Sequence, residues 1–346
     1  GKKILIVGTG KSGVAAAELL QKKQADLIIF DGNKELKEEQ VKEKSGAFSD
    51  AEIVLGELPE SVMEKLDLVV LSPGIPTDLP MVNAIRDKKI PIIGEIELAY
   101  QCAKGKILAI TGTNGKTTTT ALLGEIMKNY FSDVKVVGNI GIPYTSVAAD
   151  TTEETVTVAE ISSFQLETAV EFRPEVSAIL NITPDHLNRH HTMENYIAAK
   201  ESITKNQTAD DICVLNYEDE VLREFGAGLQ TKVIYFSSAR KLENGYYLDG
   251  TDICRAVDGK AEHICNVEEL NLLGKHNYEN VMAATAMAAG FGVPLEKIKE
   301  VLVRFQAVEH RIEYVTEKRG VKFYNDSKGT NPDAAIKGIQ AMNRPT

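Results

Sequence analysis

TGTNGKTTTT, residues 111–120, lies between an apolar run (Ile107, Leu108, Ala109, Ile110) and a stretch with helical spacing (Ala121, Leu122, Leu123, Ile126, Met127). Strand, glycine loop and helix in that order build a phosphate cradle. The backbone N–H groups of Gly112, Thr113, Asn114, Gly115 and Lys116 can converge on phosphate oxygens at a helix N-terminus. Lys116 can reach the outer phosphates, and the Thr117 hydroxyl, with Thr118 beside it, stands where a magnesium ligand belongs. The loop is a variant of the Walker pattern, because Ile110 occupies the place of the first glycine. The competing reading is a plain glycine turn ahead of a helix.

With 346 residues, 43% of them apolar and 26% charged, the chain has globular composition and room for two or three domains. No apolar run approaches the ~18 residues of a membrane span, and GKKILIVGTG reads as a first strand rather than a leader. Cys102, Cys213, Cys254 and Cys265 lack C-x-x-C spacing, so neither a disulfide frame nor a zinc site is expected, and the cytoplasm is the expected compartment. A net charge of −11 argues against general nucleic-acid binding.

Residues 2–7 read as a buried strand, followed by Gly8, Gly10 and Gly13 in G-x-G-x-x-G spacing and an alanine-rich helix. A second strand ends at Asp31, where an acid would meet a ribose hydroxyl. Alone, this fingerprint predicts NAD, although the same geometry serves any pyrophosphate-bearing nucleotide. Ser72-Pro73-Gly74-Ile75-Pro76 follows another apolar run, as a turn at the ligand-binding edge of a parallel sheet or as a turn only. In the second half, polar residues again follow apolar runs: Asn139, Glu160 with Ser162, and Asn181 with Asp185 and His186. Glu160 is a candidate magnesium ligand or a helix-start acid. His186 and Lys200 are site candidates or solvated side chains. Asn277 and Asn280, three apart at a helix start, face one ligand or serve as a cap. Residues 321–324 are expected to form the first strand of a further domain, with the polar loop 325–332 after it.

GTNGKTT, EISSFQLE, DHLNRH, HNYEN, EHR and DSKGTN occur in this order. Together they resemble the Mur ligases of peptidoglycan synthesis, in the D-glutamate-adding branch. The resemblance implies an α/β protein: a Rossmann-like N-terminal domain (1–98) holding a UDP substrate, a central P-loop ATPase domain with a mostly parallel sheet (99–304), and the start of a C-terminal Rossmann-like domain (305–346), expected to be incomplete. It reassigns the glycine fingerprint from NAD to a UDP group held by Gly10, Lys11, Ser12, Asp31, Gly32, Asn33, Ser72 and Gly74, with Asn139 and Ser162 near the sugar and peptide end.

The implied activity is ATP-dependent addition of D-glutamate to UDP-N-acetylmuramoyl-L-alanine through an acyl phosphate; the alternatives are another Mur-family or folylpolyglutamate-type amide ligase, or a binding-competent but inactive fragment. Lys116, Glu160, His186, Lys200 and Lys328 are its implied catalytic residues. ATP would meet Asn277, Asn280, Arg311 and Asp326 besides the loop. Two magnesium ions are implied, one on Thr117 and Glu160, the other on His186 and a CO₂-derived carbamate of Lys200. Thr330 and His186 are the candidates for D-glutamate contact. Asn188 departs from the aspartate often found there. The expected partners are these three substrates, with no nucleic acid, no membrane and a monomeric chain.

Overall fold

The computed structural model describes residues 1–342, which form two compact units. The first comprises Gly1–Gly105, Val137–Thr155 and Ile161–Phe172; the second comprises Lys106–Val136, Val156–Glu160 and the chain from Arg173 onward.

The first unit is built on β1 (Lys3–Val7), β2 (Asp26–Asp31), β3 (Glu52–Leu55), β4 (Leu68–Leu71) and β5 (Ile92–Gly94). They form an all-parallel sheet in the order β3-β2-β1-β4-β5. Leu5, Val7, Ile28, Phe30, Val69 and Leu71 make its core. Strands covered on both faces need continuous apolar sequence rather than alternation, and KILIV and LVVL supply it. The order reverses beside β1, so the loops leaving β1 and β4 diverge at the carboxyl edge and open a crevice there.

The second unit carries β6 (Lys106–Thr111), β7 (Val134–Gly138), β8 (Val156–Glu160), β9 (Val176–Ile179), β10 (Ile212–Asn216), β11 (Lys232–Ser237), β12 (Gly245–Asp249), β13 (Asp252–Val257) and β14 (Lys260–Asn266). The sheet order is β14-β13-β12-β11-β10-β9-β6-β8-β7. It is parallel from β8 through β12 and antiparallel at β13 and β14. The glycine loop follows β6, and Glu160, the last residue of β8, lies in register with Ile110. The helix Lys116–Lys128 packs against the helix Lys275–Gly290. Leu122, Leu123, Ile126 and Met127 meet Met282, Ala283, Ala286 and Met287 in one core. The alanines let the two helices approach closely, which holds Asn280 beside the glycine loop.

Residues 321–324 do form a strand, but not the first of their segment. β16 (Val321–Asn325) pairs antiparallel with β15 (Glu313–Lys318). EYVTEK is mostly exposed and charged, so it carries no buried-strand signature. Among the described residues, no helix is long and apolar enough to cross a membrane.

Candidate active site

Lys116 and Lys200 converge on one carbonyl. Lys116 Nζ donates to Gly112 O and Thr113 O, both at 2.8 Å, and Lys200 Nζ donates to the same Gly112 O at 2.8 Å. Lys200 is only 2% exposed, its ammonium 4.6 Å from the Tyr196 ring centre. Burial depresses the pKa of both lysines. Lys200 is driven well below the usual lysine range, with the Lys116 charge adding to the effect; for Lys116 the repulsion of Arg311 is opposed by Glu160 and Asp185. The Tyr196 phenol, raised by burial to about 12, stays protonated and shares a 3.0 Å hydrogen bond with Thr113 Oγ1.

The loop amides divide between two tasks. Thr113 N donates to Asn181 O at 2.9 Å and Asn114 N to Asn181 Oδ1 at 2.9 Å, while Asn181 Nδ2 returns a 3.0 Å bond to Asn114 O. Two of the five amides expected to face a phosphate are therefore turned toward Asn181. The helix start leaves the Lys116, Thr117 and Thr118 amides without intrahelical partners, which suits an anion. Gly115 caps that helix at φ 87°, and a Cβ there would lie 2.3 Å from Asn280 Oδ1. Gly115→Ala is expected to destabilise the protein by about 1–3 kcal/mol and to weaken nucleotide binding, checked by urea unfolding and calorimetry.

Asn114, Gly115, Thr118, Asn277, Asn280, Arg311 and Asp326 line one cavity. Asn277 and Asn280 are joined at 3.2 Å and buried, with Asn277 Nδ2 anchored on Leu273 O at 2.7 Å. Arg311 Nη2 reaches Thr117 Oγ1 at 3.5 Å, and its buried Nε lacks a hydrogen-bond partner. Asp326 Oδ1 accepts from Ile312 N at 3.1 Å. Ile312 sits at φ 48°, a strained setting for a β-branched residue, so Asp326 braces the backbone that aims Arg311.

The same cavity is lined by Phe236, His276, Glu279 and Lys337, which the sequence reading passed over. Burial holds the Glu279 carboxyl above the usual range, against the hydrogen bond it accepts from Ser238 Oγ. His276 is lowered to about 4, chiefly by burial, with Lys337 adding and Asp333 opposing. The unfolded chain therefore binds more protons between the ordinary value of ~6.5 and the folded value. Stability present above that window is expected to be lost as pH falls through it, by about 3 kcal/mol for this group. His276→Gln should flatten the fall, as measured by urea unfolding from pH 7 to pH 4.

Glu160 is near enough to act on the Lys116 charge, and the remaining candidates are more scattered. Glu160 is buried at the end of β8. His186 is exposed at φ 52°, with Nδ1 3.7 Å from Asp185 Oδ1. Lys328 and Thr330 are exposed on the loop after β16 and are not among the residues lining the cavity.

In the first unit, Gly10, Lys11, Ser12, Asp31, Ser72, Gly74 and Asn139 line a cleft of about 590 Å³ at the crevice beside β1. A Cβ on Gly13 would stand 2.0 Å from Gly8 O, so the helix can start this close to the strand only with glycine there. Gly32, Asn33 and Ser162 are not among the lining residues. Asn33 Oδ1 holds Glu35 N at 2.9 Å, and Ser162 caps the short helix Ser163–Leu166 while its partner Gln165 reaches the cleft. Thr9 and Lys44 were not expected here. Lys44 Nζ donates to Thr9 Oγ1 at 2.8 Å, and Thr9 Oγ1 donates to Asp31 Oδ2 at 2.7 Å.

The family model of the Mur ligase middle domain matches residues 110–288, which hold the glycine loop, Glu160, His186, Lys200 and both asparagines. The chain belongs to the Mur ligase family. A second model, the Mur ligase MurD-like N-terminal domain, matches residues 2–94 of this Mur ligase. It is 57% identical over 346 residues to the UDP-N-acetylmuramoylalanine–D-glutamate ligase of Lachnoclostridium phytofermentans, covering 100% of this chain and 76% of the relative. The enzyme of the same name from Clostridioides difficile is 48% identical, with the same two coverages. Among solved structures, the UDP-N-acetylmuramate-alanine ligase MurC of Thermotoga maritima aligns with a TM-score of 0.58 at 21% identity, covering 99% of this chain and 77% of that one. MurF from Acinetobacter baumannii gives 0.60 at 17%, covering 99% and 71%. At these identities the structural likeness speaks for the fold.

Proposed function

We propose that this Mur ligase joins D-glutamate to UDP-N-acetylmuramoyl-L-alanine at the expense of ATP, in the synthesis of peptidoglycan precursors. The observation that carries the reading is the 57% identity, over the whole of this chain, to a ligase named for that reaction. The cluster of Lys116, Lys200, Glu160 and the helix N-terminus at one sheet edge supplies the chemistry. The substrate's terminal alanine carboxylate attacks the γ-phosphorus of ATP, giving an acyl phosphate and ADP. The D-glutamate amine then attacks the acyl carbon, an amide bond forms, and phosphate leaves.

The first step brings two anions together. Lys116, already beside the loop, swings from Gly112 O and Thr113 O to the phosphates, and the Lys116, Thr117 and Thr118 amides take the remaining oxygens. Asn277, Asn280, Arg311 and Asp326 hold the rest of the nucleotide, with Lys328 at the γ-phosphate and Thr330 at D-glutamate. The cleft of the first unit takes the UDP end through Gly10, Lys11, Ser12, Asp31, Ser72, Gly74 and Asn139, with Gly32, Asn33 and Ser162 around it. We retain the division into 1–98, 99–304 and 305–346 as functional segments for UDP substrate, ATP and closure.

Magnesium fits the donor set. Thr117, at the start of the helix after the glycine loop, and Glu160, at the end of β8, offer hard oxygens of the kind magnesium takes. Thr117 and Glu160 would hold one ion; His186 and Lys200, as a carbamate, would hold the second. When bound, magnesium neutralises charge on the phosphates and the attacking carboxylate. Carbamylation requires a neutral amine, and burial, with the Lys116 charge adding, drives the Lys200 pKa well below the usual lysine range, which favours that form.

The test is phosphate release from ATP with UDP-N-acetylmuramoyl-L-alanine and D-glutamate, L-glutamate or L-alanine in turn. Release is expected with D-glutamate; release with L-alanine on the substrate lacking its alanine would overturn the assignment in favour of another amide ligase of the family.

A further inference from the structure

Asn114 stands in the middle of the glycine loop, yet every polar group it owns is turned to protein. Its backbone N–H and C=O are taken by the Asn181 side chain at 2.9 and 3.0 Å. Its side-chain Nδ2 donates to Asp333 Oδ2 at 2.8 Å, and its Oδ1 accepts from Asn331 Nδ2 at 3.0 Å. The last two bonds span more than two hundred residues of sequence and end on one short stretch. Asn331 Oδ1 caps the helix Pro332–Gln340 by accepting from Ala334 N at 2.8 Å, and its Nδ2 also lies 3.4 Å from Asp185 Oδ2. Lys337 Nζ, 2.9 Å from Asp333 Oδ2, offsets the charge that this carboxylate would otherwise set beside an anion site.

We infer that Asn114, Asn331 and Asp333 form a latch, with Asn114 a positioning residue rather than a phosphate ligand. The latch ties the phosphate loop to the segment that carries Asp326, Lys328 and Thr330. Two of its three members have no place in the binding machinery described above. Asp326 sits five residues before Asn331, where its carboxylate also braces Ile312 and thereby Arg311. A loop docked through Asn331 and Asp333 holds that brace against the nucleotide cavity, which Asn114, Arg311, Asp326 and Lys337 all line. Without the latch the helix Pro332–Gln340 keeps its cap, but the wall of the cavity loses its tie to the loop.

This inference rests on the ATP reading of the cavity, and its test separates the two. Asn331→Ser keeps a capping oxygen but is too short to reach Asn114. Asp333→Ala removes the other arm, and Asp333→Asn restores an acceptor without the charge. Binding of the non-hydrolysable β,γ-imido analogue of ATP, with magnesium, is measured by calorimetry on the 346-residue chain, alongside its melting temperature. Each of the first two variants is expected to bind about five- to tenfold more weakly. Their double variant should bind hardly more weakly than either alone, because both act through Asn114. Asp333→Asn should restore most of the affinity. Unchanged affinity in both single variants, with the analogue binding the unaltered chain, would overturn the latch, as would a loss that merely follows the melting temperature. Failure of the unaltered chain to bind the analogue would instead overturn the ATP reading.

Discussion

Lys116→Ala is expected to lower D-glutamate-dependent phosphate release by about a thousandfold, the scale of losing a preorganised charge at a transition state. The reasoning starts from its position. Lys116 is the first residue of the helix Lys116–Lys128, and its ammonium folds back to two loop carbonyls at 2.8 Å. In the proposed reaction it is thus stored beside the phosphate site, and phosphates bound there would give it a full counter-charge. Burial that depresses its pKa in the resting site is relieved by an anion, so the phosphate and the proton on Lys116 favour one another. Phosphate release is the readout, with UDP-substrate binding as control, since that cleft lies in the first unit and should be unaffected. A drop of less than tenfold would remove Lys116 from the chemistry.

Lys200→Ala is expected to cost at least about a hundredfold in the same assay, even though Lys200 lies in the last turn of the helix Met193–Glu201, 84 residues beyond Lys116. A buried ammonium is costly, and this one shares Gly112 O with another cation, with Asp185 only partly offsetting the burial and the repulsion. The proposed carbamate would relieve that cost: a neutral amine that took up CO₂ and lost a proton would become an anion that the neighbouring ammonium favours. Unaltered enzyme in buffer freed of CO₂ and bicarbonate should lose activity and regain it on adding bicarbonate, and a ¹³C resonance should appear with labelled bicarbonate. Full activity without CO₂ would leave Lys200 as an ordinary phosphate-side lysine.

The glycine loop was legible because its signals are local: an apolar strand, Gly112 and Gly115 at positive φ, then Lys116 on a helix start. The place of Glu160 was legible for a similar reason, since it is the charged residue that ends a fully buried strand. The crevice of the first unit followed from glycine spacing, which reports the close approach of Gly13 to Gly8 O. What escaped the sequence depends on distant pairing. Nothing around Asn114 announces Asn331 and Asp333, and nothing around Thr9 announces Lys44. His276 and Glu279 are ordinary helix residues until packing seals them against Phe236 and Lys337. The strand Glu313–Lys318 escaped because exposed, charged side chains hide a strand that pairs only with its neighbour. The return of Val137–Thr155 and Ile161–Phe172 to the first unit is likewise a matter of contacts, with no change of composition to mark it.

The most direct test of the central claim is calorimetric titration of the chain with UDP-N-acetylmuramoyl-L-alanine, with NAD in a parallel cell. Binding of the UDP compound without binding of NAD is the expected result. Binding of NAD alone would return the glycine fingerprint to dinucleotide recognition and contradict the account.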